Sequence, residues 1–169
     1  MKIVPIFEPH LYSFQFDEEG DEFNELMKLW TDAEYLEHYF SSNNELLNFK
    51  NISLQEAIVQ TIKYTDELYD TLSQDGCNLD ELFEPLTSAD GKLNLPKQKL
   101  KRRKQEWLRI YAVKIESKYY VITGGAIKQS QSMDGHPDTL KELTKLEQCR
   151  NFLIQEGIVD IEGFLELIL

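Results

Sequence analysis

Residues 107–128 constrain the fold most, because they carry two consecutive strand patterns with apolar side chains on both faces. From Trp107 to Glu116, Trp107, Arg109, Tyr111, Val113 and Ile115 share one face, and Leu108, Ile110, Ala112 and Lys114 share the other. Tyr119 to Lys128 follows across the two-residue turn Ser117-Lys118 and includes Val121, Ile122, Ala126 and Ile127. A strand with one solvated face alternates apolar with polar, whereas one that is apolar on both faces needs cover on both. The pair is therefore expected at the centre of a sheet with a layer packed on each side. Gly124-Gly125 sits inside the second strand and predicts a bulge or a close backbone approach.

The flanking segments supply those layers. Residues 2–16 read as a β-hairpin broken at Glu8-Pro9-His10, and its prolines suit a sheet edge because they cannot donate to a ladder. Apolar residues from Phe23 to Phe40 recur at spacings of three and four, which predicts one helix with a broad stripe, ending at Ser41-Ser42-Asn43-Asn44. Ser53 with Glu56 forms a capping box for a second helix that closes at Asp75-Gly76. A short third helix runs from Asn78 to Phe83. After the loop 87–91, the run Lys97-Gln98-Lys99-Leu100-Lys101-Arg102-Arg103-Lys104 reads as a short basic helix or a connector. Ser130 to Pro137 is a polar loop, and helices are expected over Leu140–Gln155 and Ile161–Ile168. Strands first, helices next, strands later and helices last is an α+β layout in a single domain, not an alternating βαβ one.

Charge is segregated along the chain. Residues 17–90 hold 19 acidic side chains against 3 lysines, a net of −16, while residues 91–128 hold 11 basic against 2 acidic, a net of +9. The whole chain carries −12. A uniformly acidic protein repels nucleic acid, but a polarised one leaves room for a local anionic partner. The early prolines and Glu8 interrupt a signal-peptide core, and no apolar run reaches the ~18 residues of a membrane span, so a cytoplasmic chain without a membrane partner is expected. Two distant cysteines, Cys77 and Cys149, with three scattered histidines do not form a zinc spacing. No metal and no cofactor is expected.

Two constellations are candidates for chemistry. Lys97, Lys99, Lys101, Arg102, Arg103 and Lys104 would attract a phosphate backbone, or else neutralise the acidic helices that precede them. Arg109, Tyr111 and Lys128, with His136 in the following loop, are the groups a metal-free ribonuclease uses: a cation for the phosphorane and a phenol or imidazole for the proton. Packing for Tyr111 and an ordinary loop position for His136 are the plainer alternatives. Asp32, Glu34, Glu37, Asp66, Glu67 and Asp70 carry no DxD or ExxH signature and read as a solvated helix face.

The stretch Trp107-Leu108-Arg109-Ile110-Tyr111-Ala112-Val113-Lys114, then Tyr119-Tyr120-Val121-Ile122-Thr123-Gly124-Gly125-Ala126-Ile127-Lys128-Gln129-Ser130-Gln131-Ser132, resembles toxins of the RelE/HigB kind. The resemblance covers roughly residues 107–133. It implies a small antiparallel sheet packed against helices, metal-independent mRNA cleavage, usually on the ribosome, and an antitoxin partner. Arg109 matches that family's strand arginine, and Lys128 matches the lysine after its glycines. Gly124 stands where the family often has histidine, and the acidic net charge departs from its usual basic one. The whole chain also resembles a family of small uncharacterised bacterial proteins, often from Bacteroides relatives, a likeness that implies no activity. The rival expectation is a non-catalytic interaction module whose acidic helical layer binds a basic protein, including by mimicry of nucleic acid.

Overall fold

The computed structural model describes residues 1–101, 107–129 and 137–169. The fold is α+β: one mixed sheet of six strands lies between two helical layers. The strands are β1 (Lys2–Phe7), β2 (Leu11–Gln15), β3 (Phe83–Pro85), β4 (Lys97–Leu100), β5 (Leu108–Glu116) and β6 (Tyr119–Ile127). Their order across the sheet is β1-β2-β6-β5-β4-β3. All neighbours are antiparallel except β2 and β6, which run parallel with Leu11 opposite Tyr120 and Ser13 opposite Ile122. The purely antiparallel expectation is corrected there, because β1 and β2 close as a local hairpin before joining a strand more than 100 residues later.

The doubly apolar strand pair is central and covered on both faces. Leu108, Ile110, Ala112, Tyr120 and Ile122 pack against α1 (Glu22–Trp30), α2 (Ala33–Ser42), α3 (Glu45–Lys50), α4 (Leu54–Ser73) and α5 (Leu79–Leu82). Tyr111, Val113, Ile115 and Val121 pack with Tyr12 and Phe14 against α6 (Pro137–Gln155) and α7 (Ile161–Ile168). Full burial of such side chains stabilises by about 1.5–3 kcal/mol each. Trp107 departs from the alternation and joins the core on the α4 side, where its indole N–H donates to Thr61 Oγ1 at 2.9 Å.

Local chemistry explains the helix boundaries. The single helix expected over Phe23–Phe40 is two, because Thr31 folds its hydroxyl back on Met27 O at 2.7 Å. Asp32 then caps a new start through the N–H groups of Glu34 and Tyr35. Ser53 caps α4 through Glu56 N–H at 3.1 Å, as the capping box predicts. The basic run is corrected from helix or connector to strand where it is described: β4 pairs with β5 and buries Gln98 and Leu100. Arg102, Arg103 and Lys104 lie outside the described residues.

One carboxylate ties the β5–β6 turn to the helical layer. Asp80 on α5 accepts from the Ser117 hydroxyl at 2.7 Å, Lys118 N–H at 3.0 Å and the Tyr120 hydroxyl at 2.8 Å, with Lys114 Nζ at 3.4 Å. Partial burial raises its pKa, but these four partners outweigh it and hold the carboxyl down to about 2, against 3.8 for an ordinary aspartate. A depressed folded pKa means the contribution is complete above the unfolded value and is lost as pH falls from about 4 through about 2. Asp80→Asn is expected to cost about 1.5 kcal/mol at pH 7, since hydrogen bonds to a charged acceptor are among the stronger ones. The same substitution flattens the acid limb of a urea-stability curve. An acid limb identical to wild type contradicts the assignment.

Candidate functional site

The glycine pair in β6 decides what lies on either side of the sheet centre. Between Tyr111–Gly124 and Ala112–Ile122 the β5–β6 register slips by one residue at Thr123, so the expected bulge and the expected close approach both occur. A Cβ on Gly124 would lie 2.7 Å from Lys145 Cε and 2.8 Å from Glu142 Oε2, both on α6. A Cβ on Gly125 would run into Arg109 O and lie 2.9 Å from Leu26 Cδ1 and 3.1 Å from Trp30 Cη2. One glycine admits α6 and the other admits α1, each on its own face.

Where the two helices come closest to β6, a groove of about 450 Å³ opens between α1, α2, the end of β6 and the first turns of α6. Trp30, Tyr35 and Tyr39 give it aromatic walls, with the two tyrosine rings stacked at 6.1 Å and 26°. Glu22, Glu25, Asp138 and Glu142 give it four carboxylates, against Lys141 as the cation among its described lining residues. The i, i+4 spacing of Tyr35 and Tyr39 puts both on one side of α2, and Tyr39 OH donates to Asp138 Oδ2 at 3.1 Å. Burial raises the Tyr39 phenol, Gln129 partly offsets it, and Asp138 adds to the rise, so the hydroxyl stays protonated and donating.

Behind the groove two carboxylates share one ammonium. Lys145 Nζ lies 2.9 Å from Glu22 Oε2 and 2.7 Å from Glu142 Oε2, with the Phe16 ring centroid at 5.6 Å. Burial pulls the Lys145 pKa down, but the hydrogen bonds and charges of Glu142 and Glu22 outweigh it and the net shift is upward. Burial raises Glu142 above the ordinary glutamate value, an effect that Lys145 opposes and only partly cancels. Cys149, on the inner face of α6, is pushed up to about 12 by burial and is no nucleophile.

The residues expected from sequence fall elsewhere. Arg109 and Tyr111 are brought together on the α6 side of β5, but only 6% and 1% of their surfaces are exposed. Arg109 Nη1 donates to Leu108 O at 2.9 Å, and burial raises the Tyr111 phenol above its ordinary value, with Arg109 opposing. Both are buried because α6 covers the face they share. Lys128 is half-buried just past β6, where its N–H donates to Trp107 O at 2.7 Å. His136 lies outside the described residues. Of the basic run, Lys97 pairs with Glu147 at 2.8 Å and Asp90 at 3.7 Å, and Lys99 with Glu84 at 3.8 Å. Lys101 is half-buried at the end of β4.

Tyr35, Asp138 and Glu142 were not singled out by sequence reasoning. The available signal was the glycine pair, which marks where helices approach the sheet without saying what they carry. Among the described residues no group of three or more His, Cys, Asp or Glu side chains is placed to hold a metal, and no described helix is long and apolar enough to cross a membrane. The chain matches no protein-family model, and no curated protein and no solved structure matches it either.

Proposed function

We propose that the chain is a non-catalytic interaction module whose acidic helical layer binds a basic partner. The observation that carries this reading is how the charges are spent. Three described lysines of the basic segment are already matched by carboxylates: Lys97, Lys99 and Lys114 sit in ion pairs with Asp90, Glu147, Glu84 and Asp80. Glu34 and Glu37 on α2 and Glu56, Asp66, Glu67 and Asp70 on α4 stand exposed, outside the described ion pairs. Lys63 is exposed on α4 beside them, so the face carries an excess of negative charge, and such an excess raises the local concentration and the association rate of a cationic partner. The test is titration with a twelve-residue arginine- and lysine-rich peptide. Binding is expected to weaken at least tenfold between 50 and 300 mM salt, and to be lost when Asp66, Glu67 and Asp70 are all changed to lysine. Binding that ignores both salt and the triple reversal overturns the reading.

A second reading, a RelE/HigB-like RNA-cleaving toxin or an inactive derivative with an antitoxin partner, is favoured by one observation. β4 and β6 both run antiparallel to β5, so Lys101 and Lys128 leave the sheet at the same end. That end would be the RNA contact, with Arg109 and Tyr111 as supports and not reactants. Induced expression of wild type beside Lys101→Ala plus Lys128→Ala tests it. Growth arrest with mRNA cleavage in wild type, lost in the variant, favours the toxin. Intact transcripts and normal growth in both leave the binding module.

A further inference from the structure

We infer that the groove between α1, α2 and α6 is a receptor for one arginine side chain presented by the partner; the inference rests on the reading of the helical layer as a binding surface. The groove combines three properties that a guanidinium needs together. Stacked Tyr35 and Tyr39 offer aromatic surface on which a planar cation can lie. Asp138 and Glu25 line the same groove, and a carboxylate can take the guanidinium fork by two parallel hydrogen bonds. Behind them Glu22 and Glu142 share the single ammonium of Lys145, and Glu142 Oε2 is buried without a hydrogen-bond donor in good geometry among the described residues. With Lys141 counted beside Lys145, the four carboxylates Glu22, Glu25, Asp138 and Glu142 still outnumber the two cations, so the partly apolar groove keeps an excess of negative charge that favours a further cation. Arginine fits better than lysine because it is planar, weakly hydrated and able to stack and pair at once.

Three capped tripeptides, glycine-arginine-glycine, glycine-lysine-glycine and glycine-citrulline-glycine, titrated into the isotope-labelled full chain at 50 mM salt test the assignment. The arginine peptide is expected to shift the resonances of the groove. It should bind at least tenfold more tightly than the citrulline peptide, which has the same shape without the charge, and several-fold more tightly than the lysine peptide. Tyr35→Leu and Asp138→Asn are each expected to weaken it about tenfold while leaving the thermal midpoint within a few degrees. Glu25→Gln, at a half-exposed position, serves where either variant fails to fold. Equal binding of arginine and citrulline peptides, or shifts confined to residues outside the groove, overturns the inference. If the tripeptide fails while the twelve-residue peptide still binds through Asp66, Glu67 and Asp70, the groove assignment alone falls. If neither binds, the reading of the acidic layer falls with it.

Discussion

Gly125→Ala is expected to cost about 3 kcal/mol, at the upper end for an added methyl group in a packed core. The new Cβ would run into Arg109 O, a backbone atom fixed in the β5–β6 ladder, with Leu26 and Trp30 closing the same space. A flexible side chain can swing away from such a contact, but a strand carbonyl can move only by breaking its pairing. At Gly124 the atoms in the way are the flexible ends of Lys145 and Glu142, but the backbone sits at φ +158°, where an L side chain is strained, so alanine there costs through the backbone and not through a fixed neighbour. Urea denaturation of the two variants measures the difference as a change in midpoint at constant slope. A Gly125→Ala cost below about 1 kcal/mol would mean that the β5–β6 ladder gives way to the added methyl group.

Lys145→Met is expected to cost about 2–3 kcal/mol at pH 7. Methionine keeps the length and the apolar stem but leaves Glu22 and Glu142 facing each other without their shared cation. Removing one partner of a fully buried ion pair costs about 3–5 kcal/mol, and the residual exposure here calls for the lower figure. The pH dependence identifies the cause. Glu142 already takes a proton more readily in the folded state than an ordinary glutamate, and loss of Lys145 pushes it further the same way. A carboxyl with a raised folded pKa destabilises the fold at high pH and is relieved as it protonates, so the deficit should shrink between pH 7 and pH 5. A deficit that stays constant over that range would assign the loss to packing alone.

The parts of this fold legible in sequence were those with a local period. Leu108, Ile110 and Ala112 against Tyr111, Val113 and Ile115 announced two covered faces because a strand alternates every residue and both sets are apolar. The break between α1 and α2 was hidden because apolar spacing continues through Trp30, Ala33 and Leu36, while Asp32 had the cap chemistry that ends one helix and starts the next. β4 was hidden in a basic run, since four residues with lysine at alternate positions carry charge more plainly than they carry period. The parallel pairing of β2 with β6 has no local signature at all. The groove was illegible for a related reason: Tyr39 and Asp138 are joined by a hydrogen bond across 99 positions, and neither residue looks unusual in its own segment.

That parallel pairing also sets an order of events during synthesis. Residues 2–15 form a two-stranded hairpin, which is marginal alone, and the backbone that completes it begins at Tyr120, whose N–H donates to His10 O. At about 5–20 residues per second, a ribosome takes roughly 5–20 s to make the intervening chain. Over that interval the hairpin offers unpaired strand backbone to any neighbouring nascent chain. Pro5 interrupts the ladder on β1, the outer edge, whereas β2, the edge that waits for β6, carries no proline or charge of its own.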